Sequence, residues 1–134
     1  TREVRNTNGD DFTYIQCELP HNAQFLPVIE VDSKASGIRI SVTVGQDTNN
    51  IHSTYMTKEG VQRHIFPGWI NGETVIYKIP CDWVKVLSVH YIETSYPAAF
   101  VGDFACGDQL LDTLWQKSRR TLYLTMRDTF MDCP

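Results

Sequence analysis

The sequence lacks the features that mark several large classes of protein. It contains no run of about 18 apolar residues, the length that a membrane-spanning helix requires. Its basic residues never cluster beyond the pair Arg119-Arg120, and the formal net charge is -4. Nucleic-acid binding depends on a basic patch or stripe. We therefore expect neither a nucleic acid nor a membrane among the partners of this chain.

The short motifs that hold phosphates, metals or activated nucleophiles are also missing. The sequence has no Gly-x-x-x-x-Gly-Lys loop, no Gly-x-Gly-x-x-Gly turn and no Gly-x-Ser-x-Gly elbow. It has no Cys-x-x-Cys pair, and its histidines never fall at the spacing of a zinc half-site. We expect no cofactor, no metal and no catalytic residue in the chain. We interpret four residues as surface or satisfied core histidines: His21, His52, His64 and His90.

Cysteine is present but dispersed. Cys17, Cys81, Cys106 and Cys133 lie far apart in the sequence. Dispersed cysteines serve more often as small buried residues than as a disulfide framework. We predict that all four are thiols, a pattern compatible with a periplasmic, secreted or cytoplasmic protein.

The hydrophobic pattern has strand period up to about residue 101. With 134 residues and 42% hydrophobic content, the chain can form one domain with a core, or one domain plus a fragment. The run Gly37–Gly45 alternates apolar with polar residues and predicts a half-buried strand. Further β-rich runs lie at 12–19, 25–31, 74–79 and 84–91. Six or seven short strands without helical periodicity predict a mainly β fold, an antiparallel β-sandwich over residues 1–101.

Turn and breaker residues predict where these strands end. Pro20, Pro27 and Pro80 indicate strand ends or edges, because proline cannot donate a ladder hydrogen bond. Asn71-Gly72 predicts a tight turn before the strand at 74–79. The run at 84–91 is apolar in both phases, so it is either buried on both faces or bulged near Leu87.

From residue 102 onward the period is helical. Leu111, Leu114, Trp115 and Leu122 follow the i, i+3, i+4 rule of an amphipathic helix. We predict one long helix over 108–126, with Gly107 or Asp108 as its N-cap. One helix cannot cover its own apolar stripe, so this stripe requires a packing partner.

Four short motifs lie before, within and after this helix. They are Ser95-Tyr96-Pro97, the Gly-x-Phe-x-Cys element at 102–106, the Leu-x-x-x-Trp element at 111–115, and Asp132-Cys133-Pro134. Over residues 85 to 134 this order resembles the bacterial α-L-rhamnosidases, where Asp-Cys-Pro is normally followed by a variable residue, Arg and Glu. In one departure, Gly107 stands where that family usually has a capping serine.

The resemblance implies that the chain is a fragment of a larger glycoside hydrolase. Residues 1–101 would form the β-sandwich that precedes the catalytic domain, and 102–134 would begin a six-hairpin (α/α) barrel. The parent would remove terminal α-L-rhamnose by an inverting mechanism, with its catalytic carboxylates beyond residue 134. Its partners would be a rhamnose-containing glycan or glycoside and the remainder of the barrel. The fragment alone would be inactive.

Asp132 is the predicted substrate-binding residue. This prediction depends entirely on the resemblance to the rhamnosidases. Taken by itself, an aspartate between a helix and Cys-Pro is a turn acceptor. In the family pattern it falls on the carboxylate that lines the pocket for the terminal sugar, where charge-assisted bonds to hydroxyl groups are strong.

Two tryptophans leave an alternative function open. Trp69 and Trp83 offer flat apolar faces on which a sugar ring could stack, although aromatic residues more often pack against the core. The alternative reading is a non-catalytic carbohydrate-binding or purely structural β-sandwich.

Overall fold

A computed structural model of the protein describes residues 2–5, 12–44, 52–80 and 83–129. The described residues form seven strands and one helix. These are β1 Arg2–Arg5, β2 Phe12–Ser33, β3 Arg39–Val44, β4 His52–Met56, β5 Gly60–Ile65, β6 Ile70–Pro80, β7 Val84–Glu93 and α1 Gln109–Thr125. The chain divides into two compact units, Thr1–Thr94 with the strands and Ser95–Pro134 with the helix.

The sandwich is built around β2, a strand of 22 residues that pairs with different neighbours along its length. Its first part lies between β1 and β6, and its second part lies between β5 and β7. Beyond β6 follow β3 and then β4, and every pairing is antiparallel. The register against β6 shifts between Glu18 and Ala23, just before β2 takes up its second pair of partners. The predicted fold, mainly β with an antiparallel β-sandwich followed by one helix, is confirmed.

The core lies on the inner faces of β2, β3 and β6. Phe25, Ile29 and Ile40 are fully buried there, and Tyr77 joins them with its hydroxyl donating to the Val28 carbonyl at 3.3 Å. Burial of such a side chain contributes about 1.5–3 kcal/mol. Burial also raises the pKa of the Tyr77 phenol far above its usual range. The predicted alternation holds in β3, where Ile40 and Val42 are buried.

Prolines do not interrupt β2, contrary to the prediction. Pro20 falls in the stretch between Glu18 and Ala23 where the ladder to β6 is broken, so no hydrogen bond is lost there. Pro27 lies opposite Tyr91, and its carbonyl accepts a bond from the Phe66 amide at 2.9 Å. A proline can still accept through its carbonyl, and β2 therefore continues through both positions.

Asn71-Gly72 is not a tight turn, so that prediction is wrong. Both residues lie inside β6, opposite Gln24 and Ala23 of β2. Gly72 has φ +153, and a Cβ on it would lie 2.6 Å from Cγ1 of Val44. Glycine is required here because two strands approach closely beside an irregular ladder.

The doubly apolar run at 84–91 is explained by a bulge. Ser88 lies opposite Glu30 and Val86 lies opposite Val31, which leaves Leu87 as the additional residue. Leu87 is exposed, so burial on both faces does not apply. Of the two predicted alternatives, the bulge near Leu87 is confirmed.

Within the ranges described, no helix is long and apolar enough to cross a membrane. Cys17 and Cys106 are thiols, as predicted, but Cys17 is only half-buried and Cys106 is exposed, so the expected burial is not found at Cys106. Cys81 and Cys133 lie outside the described residues.

Candidate functional site

The predicted site residue, Asp132, lies outside the described residues. The structure does describe the segment that leads toward it, from Ser95 to Thr129. This segment contains three of the four motifs that carried the resemblance. Its geometry shows what those motifs do physically.

The N-terminus of α1 is held by two aspartates. Asp108 is the N-cap, and its carboxylate accepts from the amides of Leu110 at 2.9 Å and Leu111 at 3.2 Å. Asp112, one turn later, accepts from the Cys106 amide at 2.9 Å. The Asp108 carboxylate satisfies amides that the helix itself leaves without acceptors, whereas Asp112 binds the segment before the helix. Both carboxylates favour the positive end of the helix. The cap is therefore Asp108 and not Gly107, and the helix bounds match the prediction to one residue at each end.

Aromatic contacts join the motifs on either side of this turn. Phe104, from the Gly-x-Phe-x-Cys element, packs on Trp115 of the Leu-x-x-x-Trp element with ring centroids 5.8 Å apart. Phe100 packs on Tyr123 at 6.3 Å, and the Arg119 guanidinium lies 5.9 Å from the Phe100 ring. The segment before the helix thus folds back along the helix. In this unit the motif residues Phe104 and Trp115 hold the segment before the helix against the helix.

The C-terminal end of α1 lies beside the Ser95-Tyr96-Pro97 element. The Tyr96 amide donates to the Met126 carbonyl at 3.3 Å, just after the last helical residue. The Arg127 amide then donates to Thr129, which turns the chain. Burial lowers the pKa of Arg127, and the neighbouring charge of Asp128 opposes that shift. These contacts direct the chain as it leaves the helix, seven residues before Asp132.

A groove of about 440 Å³ lies beside the helix start, lined in part by Asp103 and Asp112. Both carboxylates already accept backbone amides, Asp103 from Phe104 at 2.9 Å and Asp112 from Cys106. Each carboxylate thus holds a backbone amide and shapes the loop before the helix. No group of three potential metal ligands occurs in the part of the chain that the structure describes.

The histidines of the sandwich have different surroundings. His21 is exposed and lies 3.7 Å from Glu93, and His90 is exposed with its Nε2 3.4 Å from Arg63. His64 is half-buried, stacked on Tyr55 with centroids 3.8 Å apart and edge-on to Phe66 at 4.8 Å. Its Nε2 is buried and has no hydrogen-bond partner among the described residues. His64 is therefore an aromatic packing residue without the satisfied hydrogen bonds that we expected of a core histidine.

The two tryptophans differ in their setting. Trp83 is 52% exposed in the turn before β7, and its carbonyl accepts from the Lys34 amide at 2.9 Å. Trp69 is 37% exposed and lines a small cavity of about 120 Å³ with Phe66, Val42, His52 and Ser53. Sequence reasoning named both tryptophans but missed this cavity. Pro27, Val42, His52 and Ser53 reach this cavity from distant parts of the chain, whereas the remaining lining residues are sequence neighbours of Trp69.

Comparison with solved structures finds a GH78 family rhamnosidase of Bacillus sp. GL1. The match has a TM-score of 0.75 and 25% sequence identity, and it covers 98% of this chain. The chain spans 15% of that protein's length. No protein-family model matches the chain, and no curated protein matches it significantly. The structural match confirms the resemblance to the rhamnosidase family, and the chain is thus related to a segment of a glycoside hydrolase.

Proposed function

We propose that this chain, whose fold is that of a segment of a GH78 family rhamnosidase, is part of a larger glycoside hydrolase that removes terminal α-L-rhamnose. The observation that carries the proposal is the structural match over 98% of the chain, strands and helix together. It is supported by the motif order at 95–134, which we recognised independently of the fold. Either observation alone would be weaker, because a β-sandwich hosts many functions.

Within the parent, we assign residues 1–101 to a β-sandwich that precedes the catalytic domain and 102–134 to the start of an (α/α) barrel. The surface of α1 supports this assignment. The helix has no buried residue, and Leu110 and Leu114 are 77% and 57% exposed. A helix with an apolar stripe is normally covered by another element. The remainder of the barrel is the partner that this stripe requires.

Asp132 is proposed to bind the terminal sugar. An ionised carboxylate accepts hydrogen bonds from two hydroxyl groups, and such charge-assisted bonds are about twice as strong as neutral ones. A carboxylate beside the ring would also stabilise the positive charge of an oxocarbenium-like transition state. Support comes from the described segment: α1 is held at its start by Asp108 and at its end by the bond between Tyr96 and Met126. These hydrogen bonds hold both ends of α1, the helix that precedes Asp132 in the chain.

The proposed chemistry is direct displacement by water, with inversion at the anomeric carbon. This mechanism needs a general acid and a general base, with carboxyl groups about 6.5–9.5 Å apart and a water molecule between them. We place both carboxylates beyond residue 134, as the family pattern predicts. The isolated chain is then expected to be inactive.

The test is to read the gene downstream of Pro134 and assay the encoded full-length protein. We expect Arg and Glu within the next few residues and hydrolysis of an aryl α-L-rhamnoside. Proton NMR of the first product should show the anomer opposite to that of the substrate. A stop codon at this point would contradict the proposal, as would a full-length protein without activity. Retention of configuration would overturn the inverting mechanism alone.

A further inference from the structure

The two outer faces of the sandwich differ in how their charges are arranged. On the face of β5, β7 and the second part of β2, the arginine and the lysine of the paired rows each have an acidic neighbour. The Arg63 Nε lies 3.5 Å from the Glu30 Oε1, and Lys85 lies opposite Asp32 in the register of β7 against β2. The basic side chains of this face are therefore balanced by carboxylates.

The face of β2, β6, β3 and β4 also carries two basic residues. One row of paired residues runs across these four strands and consists of Tyr14, Lys78, Ser41 and Thr54. Because Tyr77 beside Lys78 is buried in the core and side chains alternate along a strand, this row points outward. Phe12 and Arg39 lie two residues before Tyr14 and Ser41, so they share the same side of the sheet. We call this set the cationic face: Phe12, Tyr14, Arg39, Ser41, Thr54 and Lys78.

On the cationic face no acidic side chain balances the two cations, within the part of the chain that the structure describes. Neither Lys78 nor Arg39 forms an ion pair with a described acidic residue. The first acidic residue of β2 on this face, Glu18, lies four residues beyond Tyr14, about 13 Å along the strand. The chain as a whole has a formal net charge of -4. The positive charge is thus a local property of this face.

Two aromatic rings hold the Lys78 ammonium in place. Its Nζ lies 4.1 Å from the centroid of the Phe12 ring and 5.8 Å from that of the Tyr14 ring. A cation within about 6 Å of a ring centroid is attracted by the ring face. Lys78 is half-buried, whereas Arg39 is exposed. An anion that approaches the face therefore meets an ammonium that is already positioned and an exposed guanidinium beside it.

The chemistry and shape of the face restrict its partner. A carboxylate matches the guanidinium through two parallel hydrogen bonds. Ser41 and Thr54 offer hydroxyl groups, and the half-buried rings of Phe12 and Tyr14 offer apolar surface to C–H groups. The face is a sheet surface and not a cavity, which suits a chain that lies across it. Two cations are too few for a nucleic acid, whose binding depends on many phosphate contacts.

We propose that the cationic face binds an anionic glycan through the carboxylates of uronic acid units. Arg39 is the diagonal neighbour of Lys78 across the β3–β6 pair, about 7–8 Å away. One or two neighbouring sugar units can therefore present carboxylates to both cations. The choice of a sugar chain rests on the proposed function, whereas the preference for an anion rests on Arg39 and Lys78.

The experiment is an NMR titration of the 134-residue chain with trigalacturonate, using its methyl ester as the matched uncharged trisaccharide. We expect shifts confined to the cationic face and a Kd on the order of 1 mM at low salt, because an open face supplies little contact. The ester should bind about tenfold more weakly, and 0.5 M NaCl should screen most of the trigalacturonate binding. Absence of shifts on this face, or equal affinity for the ester, would overturn the proposal. A triglutamate peptide that binds as tightly as trigalacturonate would assign the face to an acidic protein segment instead.

Charge variants locate the contact. Lys78→Gln and Arg39→Gln should each weaken trigalacturonate binding by about threefold or more, since each removes one charge-assisted contact. Lys78→Arg keeps the cation and should retain most of the affinity, which guards against a folding defect in the glutamine variant. Lys85→Gln removes a cation of the balanced face and should leave binding unchanged. An equal loss in Lys85→Gln would show attraction by overall charge and would overturn the assigned face.

The full-length parent separates this inference from the proposed function. Migration in a gel that contains polygalacturonate should be slower for the parent than for its Lys78→Gln variant. A parent without hydrolase activity that shows this difference would retain the cationic face and remove the proposed function. An active parent that migrates like its Lys78→Gln variant would overturn the face and retain the function.

Discussion

The two units of this chain differ in how completely they bury their apolar residues. In the strand unit, β2, β3 and β6 contribute eleven hydrophobic residues of 5% exposure or less. In the helical unit α1 has no buried residue, although its apolar stripe is as regular as any strand pattern in the chain. A regular apolar pattern indicates which face of an element must be buried, but the element that covers this face has to come from another part of the structure. The strand unit therefore has a buried core of its own, and we propose that the helical unit forms one side of an interface with the rest of the barrel.

The largest consequence of this difference concerns local stability. Amides in the middle of β3, between Ile40 and Val42, should exchange with solvent only on global unfolding, whereas those of α1 should exchange through local opening. We expect exchange in α1 to be faster by about a thousandfold or more. Hydrogen exchange followed by NMR measures both in one sample. If the amides of α1 and β3 were equally protected from exchange in a monomeric sample, the two units would not differ in local stability as we expect.

Matched phenylalanine substitutions test the same contrast in equilibrium stability. Phe25→Ala leaves a cavity in the buried core and should cost about 3–5 kcal/mol. Phe104→Ala removes a ring that is 42% exposed and packs on Trp115, and it should cost about 1 kcal/mol or less in this chain. Urea unfolding measures the free energy of each variant. A much larger cost of Phe104→Ala in the full-length parent would show that the missing partner covers this ring.

Two glycines extend the comparison to the backbone. Gly72 and Gly107 both have positive φ, but only a Cβ on Gly72 meets another side chain, Val44 at 2.6 Å. Gly72→Ala should therefore cost about 2–4 kcal/mol, from backbone strain and overpacking together. Gly107→Ala has open space and should cost about 1 kcal/mol from strain alone. The double variant Gly72→Ala with Val44→Ala should recover the packing part, and its failure to do so would assign the whole cost to strain.

Asp132→Asn in the full-length parent tests whether the helical unit leads into a substrate site. Asparagine keeps the shape but removes the charge and turns one acceptor into a donor. Loss of charge-assisted bonds should lower kcat/KM by about one to two powers of ten, equivalent to about 1.5–3 kcal/mol. A part of the loss in kcat itself would indicate stabilisation of the oxocarbenium ion. Normal kinetics with a lowered Tm would make Asp132 a turn acceptor instead.

The smallest expected effect is a pH dependence of the strand unit. Burial between aromatic rings lowers the pKa of His64 below its usual 6.5, so the folded state favours the neutral imidazole. The unfolded chain takes up the proton first as pH falls. The stabilising contribution is therefore complete above 6.5 and is lost between 6.5 and the lower pKa of the folded state. Urea midpoints at pH 7.5 and pH 5 should differ less in His64→Phe than in the unchanged protein.

Several elements were predictable because their causes are local. Asp108 was one of the two predicted caps, and its carboxylate accepts hydrogen bonds from amides two and three residues ahead. The bulge at Leu87 could be recognised because the alternation of apolar residues in the run at 84–91 shifts by one position there. In both cases the determining interactions lie within a few residues along the chain.

Other elements were not predictable from neighbouring residues. Pro20 and Pro27 are tolerated within β2 because of what lies opposite them on β6 and β7. Gly72 was taken for a turn residue, and only the approach of Val44 shows why it is glycine. The short polar strands β4 and β5 carried no pattern that we singled out, and they form because β3 and β2 offer them partners.

The sequence by itself determined the change from strand to helical period, the helix bounds and, through Ser95-Tyr96-Pro97 and the motifs up to Asp132, the family that the chain resembles. Those properties depend on residue order over short distances, which is what a sequence records directly. Tertiary structure alone decided which strands share β2 and which side chains meet around Trp69. Those contacts join residues such as Pro27, Val42 and Trp69, and their separation along the chain leaves no periodic signal of their proximity.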